Sequence, residues 1–297
     1  MTAPVMKVFY SASFCDTSVA WETTRKADAV ADSITKSSID GVEITPPVPL
    51  NDAELEGVLS VPYLSALRSG VPRRLAESNS IGWDERLLQA VCASNGGVRD
   101  AALAALQDGQ NAGSLSSGLH HARRASGGGY CTVNGLVVAA RAAVGYGAQR
   151  VIVLDLDAHC GGGTASSLHE VPGCEQLDIS VSSFDQYGDT ANTKLVFADA
   201  AGYLEVVERE LSLLQNPESF DLVLYNAGMD PHEGAGGLRG ITSETMRRRE
   251  EMVFSWARSH AVPVAWVLAG GYTLGVSMAE LVELHLLTAR AAAGSGL

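Results

Sequence analysis

In Val151-Ile-Val-Leu-Asp155-Leu-Asp157-Ala-His159 an apolar run of strand length ends in three polar side chains at alternate positions. An extended chain has a two-residue period, so all three leave the backbone on one face. Two carboxylates and an imidazole that converge away from water are costly without a cation, and that mixture of oxygen and nitrogen donors suits zinc or iron. Taken alone, the segment reads equally well as a strand-end cap with a solvated histidine. Leu222-Val-Leu-Tyr-Asn-Ala-Gly-Met-Asp230 repeats the design, an apolar strand followed by glycine and aspartate. If the two strands are neighbours, Asp230 arrives beside Asp157 and His159. Three protein ligands then leave one coordination position for water and a substrate carbonyl, the arrangement of a catalytic ion.

Two further segments carry groups suited to proton transfer. Gly118-Leu-His120-His121 precedes a glycine run and Tyr130, and adjacent histidines offer a proton acceptor and a donor near neutral pH. A pair of surface histidines is the plainer reading of that segment by itself. Trp266-Val-Leu-Ala-Gly270-Gly271-Tyr272 ends another strand in a flexible turn and a phenol. A tyrosine there can donate to a developing oxyanion, although an isolated tyrosine is more often packing.

The elements that must position these residues alternate in kind. Residues 150–154, 177–181, 222–225 and 264–268 read as strands, and residues 5–10 as a short strand-like run. Residues 200–214 and 243–260 carry charges and apolar residues at helical spacing, 135–144 reads as a helix, and 84–106 as one or two helices broken near Gly96-Gly97. Strand, helix, strand, helix is how a three-layer α/β fold with a mostly parallel sheet is built. In such a sheet ligand sites form at the carboxyl ends of the strands. The clusters at Gly127, Gly161 and Gly270 stand there, beside chemically capable residues, where glycine permits close backbone approach. Residues 11–80 are less legible: Pro46, Pro47 and Pro49 mark an extended connection, and 291–297 read as a frayed tail.

The chain has 297 residues, 46% of them hydrophobic, enough for one large domain over 1–297. A net charge of −13 disfavours phosphate backbones and anionic lipid surfaces, so neither nucleic acid nor membrane is an expected partner. The five cysteines include no C-x-x-C pair, and neither a signal peptide nor a membrane span is evident, which together fit a reducing cytoplasm.

In this order, Gly118-Leu-His120-His121, Gly127-Gly-Gly-Tyr-Cys131, Asp155-Leu-Asp-Ala-His159, Tyr225-Asn-Ala-Gly-Met-Asp230 and Gly270-Gly-Tyr272 resemble the zinc-dependent histone deacetylase family, within the arginase-like α/β fold. The wording is closest to the class IV branch and to a bacterial-type homologue, over residues 117–272. The resemblance implies that Asp157, His159 and Asp230 ligate zinc, with iron as the second candidate. His120 and His121 would be the proton-handling pair, with Asp155 orienting His120. Tyr272 would hydrogen-bond the acyl carbonyl, Gly129 and Tyr130 would line a tunnel for the acylated amine, and Asp84 weakly resembles a rim aspartate that grips substrate backbone. A structural potassium ion, held in many relatives, would fall to Asp155, Asp157, His159 and Ser180.

The match departs from the family pattern in places. Relatives usually carry Asp or Asn three residues after the metal-binding histidine, where it holds the second histidine of the pair; here that residue is Gly162, which leaves His121 without its expected partner and with a lowered pKa. Cys160 replaces a common histidine or glutamine and reads as a buried free thiol. The usual Phe-Pro-Gly-Thr-Gly is replaced by Ser182-Ser-Phe184-Asp-Gln-Tyr187, so the aromatic wall is either missing or supplied by Phe184 or Tyr187. Of the other histidines only His232 is near enough to touch the site, with solvent contact the plainer expectation. The expected activity is hydrolysis of an acyl-lysine, acylpolyamine or small amide. The alternatives are a non-catalytic homologue that binds acylated ligands or a partner, and an arginase-like enzyme with two manganese ions.

Overall fold

The structure, a computed structural model, describes residues 5–17, 22–37 and 39–294. Its strands are β1 (Met6–Phe9), β2 (Val42–Thr45), β3 (Ala112–Ser114), β4 (Val151–Asp155), β5 (Cys174–Ser180), β6 (Thr193–Phe197), β7 (Leu222–Asn226) and β8 (Val264–Val267). They form one sheet in the order β2-β1-β3-β8-β7-β4-β5-β6, and every pairing is parallel. The helices are α1 (Glu22–Ser37), α2 (Asp52–Val58), α3 (Val61–Ser69), α4 (Arg73–Ala76), α5 (Leu87–Asp108), α6 (Gly135–Tyr146), α7 (Gly162–Leu168), α8 (Tyr203–Leu213), α9 (Ser243–Ser259) and α10 (Met278–Ala293). None of the described helices is long and apolar enough to cross a membrane.

Strand alternation divides the core into two layers. Ile152, Leu154, Val223, Tyr225 and Trp266 pack with α1, α8, α9 and α10 on one face. Val151, Val153, Leu222, Leu224 and Val267 pack with α5 and α6 on the other. A strand covered on both faces has no polar side to show, which is why β4 and β7 read as unbroken apolar runs. Helix starts are fixed by side chains: Asn134 accepts the amide of Val137 at 3.1 Å ahead of α6, and Ser277 with Glu280 closes a reciprocal cap on α10.

The register sets the floor of the site. Asp155 pairs with Asn226 on one side and Asp178 on the other, and Asn226 pairs with Val267. Strands β8, β7 and β4 therefore end at one level, with β5 two residues longer, and the loops carrying Tyr272, Asp230, Asp157 with His159, and Phe184 follow them.

Two expectations change, and one illegible stretch resolves. No break occurs at Gly96-Gly97, because α5 runs through both. A Cβ on Gly96 would lie 2.1 Å from the Val48 carbonyl oxygen, and one on Gly97 2.5 Å from Ser114 Oγ. These glycines serve close packing, and the proline-rich connection is the neighbour: Arg99 Nη2 donates to Val48 O at 2.6 Å, and Val48 N donates to Asp100 Oδ2 at 2.8 Å. The expected tail is helical as far as Ala293, with Ala291 and Ala292 buried, and residues 295–297 lie outside the described ones. The poorly legible stretch 11–80 holds α1 to α4 together with β2.

Replacing Gly96 with Ala isolates that packing. Helix propensity alone favours Ala by about 1 kcal/mol, whereas the contact with Val48 backbone should produce a net loss of about 1–3 kcal/mol. Urea unfolding measures the difference, and a gain in stability would contradict the close approach.

Candidate active site

Asp157 and His159 follow β4, Asp230 follows β7, and one donor atom from each lies within 4.8 Å of the others. His159 Nδ1 is 3.2 Å from Asp157 Oδ1 and 3.1 Å from Asp230 Oδ2. Metal bonds of about 2.0–2.1 Å at tetrahedral angles separate neighbouring ligand atoms by about 3.3 Å, so this spacing fits a shared cation. The remaining oxygens are tied to backbone: Asp157 Oδ2 accepts the amide of Gly270 at 2.8 Å, and Asp230 Oδ1 accepts that of Ala158 at 3.0 Å. Each carboxylate is thus fixed by the loop after another strand, β8 for Asp157 and β4 for Asp230. Asp230 Oδ2, fully buried, has no aligned hydrogen-bond donor although His159 is at ion-pair distance. An orphaned buried carboxylate oxygen is expensive unless a cation completes it. Glycine makes the close approach feasible, since a Cβ on Gly270 would sit 2.2 Å from Asp230 Oδ2 and 2.5 Å from Asp157 Oδ2.

The charge balance agrees. Burial lowers the pKa of His159, but the carboxylates of Asp157 and Asp230 more than reverse this and raise it to about 11. Burial and then the Asp157 charge press the Asp230 carboxyl upward. Both shifts report a buried spot rich in negative charge, which is where a divalent ion binds.

His120 and His121 lie beside this cluster, both 5% exposed, with ring centroids 3.9 Å apart. His120 Nδ1 is 2.9 Å from Asp155 Oδ2, as the sequence implies, and its Nε2 is 3.6 Å from Asp157 Oδ1. The other Asp155 oxygen accepts from Asn226 Nδ2 at 2.8 Å. His121 is not left without a partner: its Nδ1 is 2.9 Å from Asp185 Oδ2. The expectation drawn from Gly162 is corrected on that point. The pKa is lowered, but for another reason: burial and then the charge of His120 bring His121 to about 4 despite the raising effect of Asp185. For His120 burial lowers the pKa, but Asp155 and Asp157 outweigh it and carry the value to about 10.

Above the histidines a cavity is lined by residues that include His120, His121, Gly129, Tyr130, Asp157 and Tyr272. Gly129 lies between rings: a Cβ there, at φ 47°, would be 2.3 Å from His121 Cδ2 and 3.0 Å from Phe184 Cε1. Phe184, one of the two residues expected for the aromatic wall, is edge-on to His121 and His159 at centroid distances of 5.0 and 5.8 Å. It is 53% exposed and is not among the residues lining this cavity. Tyr187, the other expected candidate, is not among the residues lining this cavity, and burial and then Asp178 raise its pKa. Burial, followed by Asp230 and Asp157, likewise raises Tyr272, keeping its phenol a donor. Asp84 accepts from Arg86 N at 2.7 Å and is not among the residues lining this cavity. The Ser180 hydroxyl donates to Asp178 Oδ1 at 2.7 Å, one strand away from Asp155. His232 does not face solvent as expected: it is 7% exposed, accepting from Gly234 N at 3.0 Å and meeting Ser243 Oγ at 3.2 Å.

Two buried cations beneath the site escape a motif search. Arg249, fully buried in α9, donates to Leu156 O at 3.0 Å and Gly228 O at 2.7 Å, clipping the chain just before Asp157 and shortly before Asp230. Its charge is balanced by Glu250 at 2.5 Å, whose Oε1 also accepts from Tyr225 at 2.8 Å. Lys26 of α1 donates to Ala269 O at 2.5 Å, and the carbonyl oxygen of Gly271 lies at 3.4 Å, which supports the turn below Tyr272. Burial lowers its pKa to about 7, against the opposing pull of Asp230 and Asp157. The sequence held a signal for both. Arg249 and Glu250 fall on the same stripe as Met246, Val253 and Phe254, and Lys26 on that of Val30 and Ile34, where solvated charges do not belong.

Arg249→Met leaves Glu250 charged and buried without its partner, and should cost about 3–5 kcal/mol in chemical denaturation. A change below about 1 kcal/mol, the range of an exposed ion pair, would contradict the brace.

The chain resembles known proteins in sequence and fold. A histone deacetylase domain model matches residues 20–289. An uncharacterised protein of Picosynechococcus is 32% identical over 247 residues, 81% of each chain. Histone deacetylase 2 of Arabidopsis thaliana is 27% identical over 77% of this chain, which spans 63% of that relative's length. Human histone deacetylase 1 is 29% identical over 50% of this chain and 32% of its own. The crystal structure of the HDA15 HD domain shares the fold, with a TM-score of 0.76 over 98% of this chain and 90% of that one at 17% identity. With the family model spanning far more than half of its length, from before α1 into α10, the chain belongs to the histone deacetylase domain family.

Proposed function

We propose that the protein is a metal-dependent amide hydrolase that releases an acyl group from an amine: an acyl-lysine, an acylpolyamine or a small amide. The observation that carries this reading is the meeting of Asp157 and Asp230 carboxylate oxygens at 3.2 and 3.1 Å from His159 Nδ1, beside a cavity lined by two histidines and two tyrosines. These three residues hold the ion, zinc or iron. When bound it supplies the positive charge that polarises a carbonyl and makes water acidic near neutral pH.

The remaining chemistry falls to the side chains. Both histidines direct Nδ1 to a carboxylate, His120 to Asp155 and His121 to Asp185, which leaves each Nε2 for the cavity. His121, with its lowered pKa, takes the water proton on Nε2 and returns it to the departing amine. His120, held protonated by Asp155, offers positive charge to the tetrahedral state. Tyr272 donates its phenolic proton to the oxyanion in a hydrogen bond. Gly129, Tyr130 and Phe184 wall the acyl amine, and Asp84 meets its backbone at the rim. The buried carboxylates of Asp155 and Asp178 on adjacent strands, with the Ser180 hydroxyl on Asp178, support a structural potassium ion at Asp155, Asp157, His159 and Ser180.

The non-catalytic alternative drew its support from the missing partner of His121, and Asp185 removes that support.

Purified protein should carry about one zinc or iron per chain, and Asp157→Ala, His159→Ala and Asp230→Ala should each lose both metal and turnover. Tyr272→Phe should keep the metal while kcat falls about 10²–10³-fold. A mass-spectrometric screen of acyl chain lengths on one lysine peptide, beside acetylated polyamines, provides the assay. Full turnover by metal-free His159→Ala would overturn the proposal.

A further inference from the structure

Asp185 stands 64 residues from His121 in sequence, on the loop after β5, yet its side chain is only 10% exposed and all its visible partners belong to the site. Oδ2 takes His121 Nδ1 at 2.9 Å and the amide of Gly163 at 3.2 Å, while Oδ1 takes the guanidinium of Arg123. Arg123 also donates to the backbone oxygen of His121 at 3.2 Å, so Arg123, Asp185 and His121 close a ring of contacts. The loop is pinned to the chain just after His159, because Cys160 N donates to Phe184 O at 3.0 Å. Asp185 adopts φ 62°, a left-handed backbone that aspartate and asparagine tolerate better than other residues with side chains.

Gly162 gives this placement its meaning. A Cβ there would lie 2.3 Å from the Asp185 carbonyl oxygen and 2.8 Å from its Oδ1. Any side chain at 162 and Asp185 in its present place exclude each other. The glycine is therefore the space into which a carboxylate from another loop enters, and not merely the loss of a group.

We infer that Asp185 is the positioning residue for His121, holding the proton on Nδ1 so that Nε2 faces the cavity as an acceptor. This deepens the hydrolase reading above and rests on it. The adjoining residue, Phe184, proposed above as a wall for the substrate, meets His121 edge-on at 5.0 Å. Substrate wall and histidine orientation are thus set by one dipeptide, and a substrate that shifts Phe184 shifts the geometry of proton transfer with it.

The test compares Asp185→Ala and Asp185→Asn with the unaltered protein, all loaded with zinc. Asn suits the left-handed backbone and keeps an acceptor for Nδ1–H without the charge, so it also serves if the Ala variant folds poorly. On any substrate the unaltered protein cleaves, Asp185→Ala should lose about 10²-fold in kcat, the scale of a misplaced catalytic group, with KM and metal content little changed. Asp185→Asn should recover part of that loss. Independently of turnover, NMR of 15N-histidine-labelled protein should show a downfield Nδ1 proton for His121 that disappears in Asp185→Ala while that of His120 remains. Undiminished kcat in both variants, or a His121 resonance indifferent to Asp185→Ala, overturns the inference. If the unaltered protein cleaves no substrate the hydrolase reading fails, and the resonance still decides whether Asp185 holds His121.

Discussion

Buried negative charge at the carboxyl ends of β4 and β7 is the constraint that the rest of the molecule serves. Asp155, Asp157 and Asp230 are at most 2% exposed, and carboxylates so far from water persist only when paired, hydrogen-bonded or bound to a cation. Pairing and hydrogen bonding are both present. Backbone amides of Gly270 and Ala158 tie the metal-facing pair, His120 and Asn226 occupy Asp155, and one oxygen of Asp230 is left over at the point where His159 faces it.

That arrangement explains features of the fold that packing alone would not require. Parallel neighbours in matched register deliver four loops to one place, and the loops then hold one another across strands. Arg249 reaches from α9 to carbonyls of two ligand loops, and Lys26 from α1 to the turn beneath Tyr272, so the helices on one face brace the site from below.

The legible part of the sequence was the part whose physics is local. Strands covered on both faces announce themselves as apolar runs, and β4, β7 and β8 were found nearly to the residue. The candidate ligands Asp157, His159 and Asp230 follow those strands within a few residues, so they came with them. What escaped depends on contacts distant in sequence. Among the missed strands, β2 and β6 are half-buried edges and β3 is three small residues, Ala112-Gly-Ser114, none with a distinct pattern. Gly96-Gly97 resembled a helix break because nothing nearby reveals that the Val48 backbone presses there. Gly162 resembled a missing function for the same reason: only folding brings Asp185 to it. The buried Arg249 and Lys26 were hidden by their charge, although their positions on apolar helical stripes gave them away.

The central claim is that Asp157, His159 and Asp230 share one ion. X-ray absorption spectroscopy of the zinc-loaded protein tests it most directly, because the site sits close to two buried thiols, Cys131 and Cys160, that would compete for a misassigned metal. One histidine nitrogen with carboxylate and water oxygens at about 2.0–2.2 Å is the result the account expects. A sulfur shell near about 2.3 Å, or a first shell without histidine, would contradict it.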